Sequence, residues 1–147
     1  MQTFLPYPSF EKSAKVMDYR RLGKQRVECM QLLKALRQGP EQVVNGKKRK
    51  TPWHFHPAAT MWKKNQNALV EYGLAICKEW IARGYNDTCF DKISAYRQSD
   101  QSFDLPKWLG DDMFHAAHRS NLLRKKKEFY AQYEWSEPDN LEYVWPQ

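Results

Sequence analysis

The sequence has few cysteines and no long apolar run, and both shortages narrow what the protein can be. Its three cysteines, Cys29, Cys77 and Cys89, are widely spaced and form no Cys-x-x-Cys pair. Neither a disulfide framework nor a cysteine-based zinc site is supported, which is typical of a reducing compartment. No apolar stretch approaches the roughly 20 residues that span a membrane, and no signal-peptide pattern follows Met1. We therefore expect a cytoplasmic protein with no membrane partner.

Strand signals are also nearly absent, whereas helical periodicity is frequent. Apolar residues recur at helical spacing over residues 10–37, 58–83 and 113–127, and a shorter helix is predicted near 91–97. The stretch from 58 to 83 is predicted to be the longest helix, and residues 85–105 are otherwise irregular. The length suits one domain, and a chain of this size can bury a hydrophobic core without disulfides or a structural metal. We predict an all-α, compact single domain over residues 1–147, with three main helices and an aromatic C-terminal tail over 129–145.

The first eight residues are apolar but contain Pro6 and Pro8. Proline lacks an amide donor, so this segment is predicted to be extended rather than helical. Its apolar side chains, Phe4, Leu5 and Tyr7, indicate that it packs against the body of the fold. Ser9 is a suitable N-cap for the helix that follows.

The charge is strongly positive, with a net charge of +7 and a pI near 9.3. This balance favours an anionic partner, nucleic acid first and an acidic membrane surface second. Four consecutive cations follow the turn signal Asn45-Gly46 and are predicted to lie on an exposed loop: Lys47, Lys48, Arg49 and Lys50. Such a loop suits phosphate contacts, although a mobile loop without a role has the same composition.

The densest cluster of charge is YRRLGKQRVE at residues 19–28. On a helix, residues three and four apart share a face, so Arg21, Lys24, Gln25 and Glu28 line one side. Leu22, Cys29, Leu33 and Leu36 line another, apolar side. Such a helix can hold a polyanion beside a carboxylate, and a solvated charged face is the simpler interpretation. Gly23 inside this helix indicates that another group comes close to the helix backbone. That group is more often a neighbouring helix than a phosphate.

A second dense patch is TPWHFHP at residues 51–57. His54 and His56 would face the same way in an extended segment, but no third ligand lies at a diagnostic spacing, so we predict no metal site. Together with Trp53 they could form the wall of a pocket, or simply pack at a helix start. On the last long helix, His115 and His118 lie three residues apart.

With these motifs in hand, the chain resembles the pyrimidine-dimer DNA glycosylase superfamily of the phage endonuclease V type. It is more closely similar to a bacterial and phage branch of that superfamily. The motifs that carry the resemblance are QTFLPYP at 2–8, RLGKQRVE at 21–28, the Trp-His-Pro element at 53–57, MW at 61–62, RGY at 83–85, WLGD at 108–111, HAAHRS at 115–120 and YVWP at 143–146. The resemblance to the branch covers nearly the whole chain.

The resemblance implies amine chemistry without a cofactor. An N-terminal α-amine attacks C1′ of the damaged nucleotide, the base leaves, a Schiff base forms and β-elimination nicks the strand, while a glutamate assists the proton transfers. Gln2 is too bulky for removal of the preceding methionine, so the amine would be that of Met1. Arg21 occupies the position of the family's glutamate directly after Arg20. Glu28, two turns later, is the carboxylate of the branch motif; Asp18 precedes it. Lys24 is the first lysine that could serve as nucleophile instead.

The resemblance also implies a kinked, double-stranded DNA partner with a base turned out of the stack. The residues predicted to contact DNA are Arg20, Arg21, Arg26, Lys47, Lys48, Arg49, Lys50, His118, Arg119 and Arg124. We expect a monomer. Two other functions fit the sequence: a non-catalytic nucleic-acid-binding module of the same fold, and an enzyme acting on a modified nucleotide held by Trp53, His54, His56, Lys24 and Glu28.

Overall fold

The computed structural model of the chain describes residues 1–99 and 103–146, so parts of the predicted irregular stretch and of the predicted domain lie outside the described residues. The chain is mostly helical, as predicted. The helices are α1 (Phe10–Val16), α2 (Tyr19–Gln38), α3 (Pro57–Thr60), α4 (Gln66–Ala82), α5 (Phe90–Ser94), α6 (Asp112–Lys125) and α7 (Lys127–Tyr130), followed by a 3-10 turn at Ala131–Tyr133.

Two strands, which the sequence analysis did not predict, interrupt this pattern. β1 (Glu41–Val44) and β2 (Lys47–Lys50) form an antiparallel hairpin in which Glu41 pairs with Lys50 and Val44 with Lys47. The predicted basic loop is therefore the second strand of this hairpin, and it is fully exposed. Its turn is Asn45-Gly46, with both residues at positive φ, which is the strongest short hairpin signal in a sequence.

Three predicted helices are each divided in two. The stretch 10–37 breaks before Asp18, which caps α2 by accepting a hydrogen bond from the Arg21 amide. The stretch 58–83 breaks between α3 and α4, so α2, with 20 residues, is the longest helix and the prediction for 58–83 was wrong. The last predicted helix is interrupted at Lys126, which leaves the helical conformation between α6 and α7. The predicted cap Ser9 is confirmed, since its side chain accepts from the Lys12 amide.

The core forms where α2 crosses α4. Leu22, Cys29, Leu33 and Leu36 are all buried, as the helical spacing predicts. The close approach at Gly23 is packing: a β-carbon there would lie 2.9 Å from the ring of Trp80. None of the described helices has the length and apolar character needed to cross a membrane.

The N-terminal segment is buried in the molecule, which confirms the prediction of an extended, packed lead-in. The Phe4 amide donates to Gln25 Oε1 on α2 at 3.0 Å, and the Leu5 amide donates to His118 Nδ1 on α6 at 2.9 Å. The Leu5 carbonyl accepts from His115 Nδ1 at 2.8 Å. Because these bonds come from two helices, they fix the start of the chain between α2 and α6.

Candidate active site

A cavity of about 380 Å³ lies where the N-terminal segment, α2 and the C-terminal part of the chain meet. We call it the amine cavity. Ten residues line it: Met1, Gln2, Phe4, Arg20, Arg21, Lys24, Gln25, Glu28, Lys125 and Tyr143. Its volume falls in the range of about 300–1,000 Å³ that is typical of small-molecule sites. The structure thus brings together Met1, Lys24 and Glu28, the three residues that we predicted to be catalytic.

Glu28 is held rigidly at the wall of the amine cavity. Its side chain is 11% exposed, and its Oε2 accepts from Gln25 Nε2 at 3.1 Å and from the Gln2 amide at 3.4 Å. Its other oxygen lies 3.6 Å from Lys24 Nζ. The carboxylate is therefore oriented by neutral donors on one oxygen and by an exposed cation on the other.

Gln25 has a larger role in the site than its place in the sequence predicted. Its Oε1 accepts from the Phe4 amide and, at 2.6 Å, from the hydroxyl of Tyr72 on α4. Its Nε2 donates to the Gln2 carbonyl at 2.8 Å as well as to Glu28. One buried amide thus links the N-terminal segment, α2 and α4. The only signal in the sequence was its position on the same helix face as Glu28.

The predicted pocket of Trp53, His54 and His56 is divided by the structure. His54 is buried, and its Nδ1 lies 3.0 Å from the carbonyl oxygen of Ala35. Trp53 is half exposed and lines a different groove. His56 lies at the start of α3, with its ring against those of Trp53 and Trp145.

His56 caps α3, since its Nδ1 accepts from the Ala58 amide at 3.0 Å. Burial lowers the pKa of His56, the positive charge of the Met1 amine lowers it further, and the carboxylate of Glu28 opposes the shift. The ring is therefore neutral near pH 7. Its Nδ1 is already used by the helix cap, and the ring does not line the amine cavity.

Cations form the outer wall of the amine cavity. Lys24 is largely exposed, Arg20 Nε donates to the hydroxyl of Tyr19 at 3.1 Å, and Arg21 pairs with Asp18 at 3.2 Å. Lys125, which was not predicted, completes the wall from α6. Burial lowers the pKa of Lys125, the charges of Arg21, Arg124 and Lys24 lower it further, and Glu28 opposes them. Such a group of cations suits a phosphate next to the cavity.

Three of the residues predicted to contact DNA bind other parts of the protein instead. Arg26 pairs with Asp87 at 2.5 Å and lies over the ring of Trp80. Arg119 binds Glu137 at 2.6 Å and the Pro6 carbonyl at 2.7 Å. His118 is fully buried, and burial lowers its pKa to about 3. His118 is therefore neutral and has no surface for DNA, which corrects its assignment; its role is to bind the Leu5 amide.

The other predicted DNA contacts are accessible. Arg20 and Arg124 are exposed and Arg21 is partly so. Lys47, Lys48, Arg49 and Lys50 are exposed on β2. Among residues 1–99 and 103–146, no three His, Cys, Asp or Glu side chains are gathered in a way that could hold a metal ion. The amine cavity thus combines the N-terminal residue, an oriented carboxylate and a group of cations.

Comparison with known proteins gives one family. A family model described as pyrimidine dimer DNA glycosylase matches residues 1–93. The matched part contains Met1, Gln25, Glu28 and His56, whereas Lys125 and Tyr143 lie beyond it. No curated protein and no solved structure matches the chain.

Proposed function

The chain belongs to the pyrimidine dimer DNA glycosylase family, and from that premise we propose that it is a DNA glycosylase with AP-lyase activity acting on a damaged or modified base in double-stranded DNA. One observation carries the proposal: Glu28 is oriented at the wall of a cavity that also contains Met1. An enzyme of this kind needs an amine and a carboxylate at the same sugar.

The α-amine of Met1 is the nucleophile in this proposal. Its lone pair forms a bond to C1′ of the target nucleotide, while the glycosidic bond breaks and its electron pair leaves with the base, which takes up a proton. The nitrogen then loses a proton, and its lone pair expels O4′ from C1′, so that O4′ takes up a proton and the sugar ring opens to an iminium. The iminium accepts the electrons of the C2′–H bond when that proton is removed, and the C3′–O bond then breaks with the 3′ phosphate as leaving group. The chemistry needs no cofactor, because the iminium itself is the electron sink.

Glu28 supplies the proton transfers and stabilises the positive charge that develops on the sugar. Lys24 supports this role because its ammonium lies 3.6 Å from one carboxylate oxygen and helps to hold the carboxylate in place. In the family enzymes that the chain resembles, the glutamate comes directly after the first arginine. In this proposal the carboxylate lies two turns further along α2.

Arg20, Arg21 and Lys125 hold the phosphates that flank the reacting sugar. A base must turn out of the stack for the sugar of the target nucleotide to reach the amine cavity. The exposed cations of β2 add a second contact with the DNA backbone. The affinity of this surface should depend strongly on salt.

A non-catalytic DNA-binding module is the second candidate. The observation that favours it is that both oxygens of Glu28 already have partners, and that two of these partners position the N-terminal segment. In that case Glu28 has a structural role, and the chain binds DNA without forming a product.

The two candidates are distinguished by the variant Glu28→Gln. Gln is nearly the same size and retains an acceptor for the Gln2 amide, so the fold should persist. We expect cleavage of an ultraviolet-irradiated or abasic duplex to fall by about 10²–10⁴-fold, the usual contribution of a general acid or base, while DNA binding changes little. The control is Glu79→Gln on α4, which pairs with Arg83 outside the cavity and should leave cleavage unchanged. A wild-type protein that binds both duplexes without cleaving either would favour the binding module.

A further inference from the structure

A second groove opens further along α2, and the proposed chemistry does not use it. It has a volume of about 270 Å³. Its lining is Gln31, Lys34, Ala35 and Gln38 from α2, Gln42 from β1, and Pro52 and Trp53. We call it the Trp53 groove. It differs from a plain apolar cleft because three amide side chains, one lysine and one indole ring share a small space.

The Trp53 groove continues the face of α2 that carries the amine cavity. Glu28, Gln31, Ala35 and Gln38 follow each other at spacings of three or four, so they lie on one side of the helix. An α-helix rises by about 1.5 Å per residue, which places Lys34 about 15 Å beyond Lys24 along the axis. A ligand that occupies the amine cavity and extends along α2 therefore reaches the Trp53 groove.

Aromatic rings connect the two sites. The ring of Trp53 lies edge-on to His56 with centroids 5.6 Å apart, and His56 lies edge-on to Trp145 at 5.9 Å. Trp145 in turn contacts Tyr143, with centroids 5.6 Å apart, and Tyr143 lines the amine cavity. A continuous chain of contacts between partly exposed rings thus links the two sites, and nucleic-acid bases can stack on the exposed faces of such rings.

Trp53 combines an exposed side chain with an unusual backbone conformation. It is 46% exposed, and its φ of 68° lies in the left-handed region that bulky side chains rarely adopt. Backbone strain of this kind occurs mainly at functional sites, where the surrounding structure maintains it. The strained backbone and the half-exposed indole make Trp53 a candidate ligand contact.

We propose that the Trp53 groove is a second nucleic-acid subsite that holds an unpaired base of the DNA strand flanking the reacting nucleotide. The indole of Trp53 stacks on the base, and the amides of Gln31, Gln38 and Gln42 can each donate to and accept from its edge. Lys34 and the cations of β2 bind the adjoining phosphates. This inference builds on the proposed function and identifies how the same strand is held beyond the reacting sugar.

The expected register follows from a strand that runs alongside α2. At about 3.4 Å per nucleotide along one strand, a separation of about 15 Å along α2 corresponds to about four nucleotides. The base in the Trp53 groove should therefore lie three to five positions from the target nucleotide. It should lie on one side of the target only, because α2 extends in one direction from the amine cavity.

The experiment uses 2-aminopurine as a fluorescent base in a duplex with a central tetrahydrofuran abasic site, which the enzyme can bind but cannot cleave by elimination. A series of duplexes places the probe at each of six positions on either side. We expect the wild-type protein to change the fluorescence at one position three to five nucleotides away, on one side. Trp53→Ala and Lys34→Glu should reduce that change at least threefold, and Trp53→Phe should retain most of it.

Two controls distinguish loss of the Trp53 groove from misfolding and from loss of the proposed reaction. Phe55→Ala removes an aromatic side chain that is more exposed than Trp53 but lies outside the groove, and it should leave the signal unchanged. Borohydride trapping on an ordinary abasic duplex is measured in parallel for each variant. A positional signal that persists in both Trp53→Ala and Lys34→Glu, or a signal at no position, overturns the subsite. Absence of trapping with the wild type contradicts the proposed function instead, and leaves the fluorescence result to be judged alone.

Discussion

At the scale of single residues, the candidate site depends on Gln25 as much as on Glu28. The spacing of residues 19–28 correctly placed both on one helix face. It did not show that Gln25 binds the backbone of Gln2 and Phe4, because these contacts join segments more than 20 residues apart and leave no periodic signal. The same reason explains the wrong assignment of His118: a histidine on a basic helix resembles a DNA contact until its burial is known.

His118 gives a prediction at this scale. Burial lowers its pKa to about 3, compared with about 6.5 for an exposed histidine. Below about pH 6.5 the unfolded chain therefore binds a proton that the folded chain does not bind. The free energy of unfolding should fall as the pH decreases from about 6.5 towards 3, by up to about 1.4 kcal/mol per pH unit for this one group.

The variant His118→Asn tests this effect. Asn can still accept the hydrogen bond of the Leu5 amide, but it does not titrate. Urea unfolding between pH 4 and 6.5 should show a shallower dependence on pH than the wild type. His115, whose pKa is lowered by burial although its bond to Leu5 opposes the shift, leaves a residual slope in both proteins. Equal slopes in both would contradict the account.

At the scale of helices and strands, the pattern predicted which faces are buried but not where elements end. The break before α2 depends on Asp18, which accepts from the hydroxyl of Tyr130 at 2.5 Å, a contact across more than 100 residues. The hairpin was missed for another reason. Lysine, which makes up most of β2, is depleted in strands, so the turn signal Asn45-Gly46 was interpreted as a loop.

The crossing of α2 and α4 gives the second prediction. A β-carbon on Gly73 would lie 2.5 Å from Cys29 Sγ and 3.0 Å from Ile93. Gly73→Ala should gain up to about 1 kcal/mol of helix propensity but forfeit more through overpacking, which typically costs about 1–3 kcal/mol. We expect a net destabilisation, measured by urea unfolding.

The double variant with Cys29→Ala provides the control for this crossing. Removing the sulfur opens the space that the new methyl group needs, so the two substitutions should couple favourably. The cost of Gly73→Ala should therefore be smaller in the Cys29→Ala background. The same cost in both backgrounds would show that the clash at Cys29 is not the cause.

At the scale of the whole molecule, helical periodicity correctly predicted a mostly helical fold, and the positive charge led to the proposed partner. The resemblance named the family that the comparison with residues 1–93 then supported. Sequence could not show that the amine cavity needs three distant parts of the chain. Met1, Glu28 and Lys125 meet there only because the N-terminal segment is fixed between α2 and α6.

The exposed strand β2 gives a prediction about the whole interface. Replacing its four cations with glutamine should weaken DNA binding. The slope of log affinity against log salt should become shallower by about 0.9 for each phosphate that the protein no longer neutralises. Cleavage at saturating protein should persist, because these residues do not line the amine cavity.

A matched control removes the same charge elsewhere, at four exposed lysines: Lys63, Lys64, Lys78 and Lys92. Its salt slope should stay closer to that of the wild type. An equal weakening of DNA binding in the two quadruple variants would mean that net charge, rather than the position of the hairpin, governs binding.

The central claim is that the amine of Met1 reacts within the cavity that contains Glu28. Borohydride trapping on an abasic duplex tests it most directly, with wild-type protein, protein acetylated at its N-terminus, and the variant Lys24→Ala. We predict a covalent protein–DNA band that acetylation abolishes and Lys24→Ala retains. A band that survives acetylation, or no band with unmodified protein, would contradict the claim.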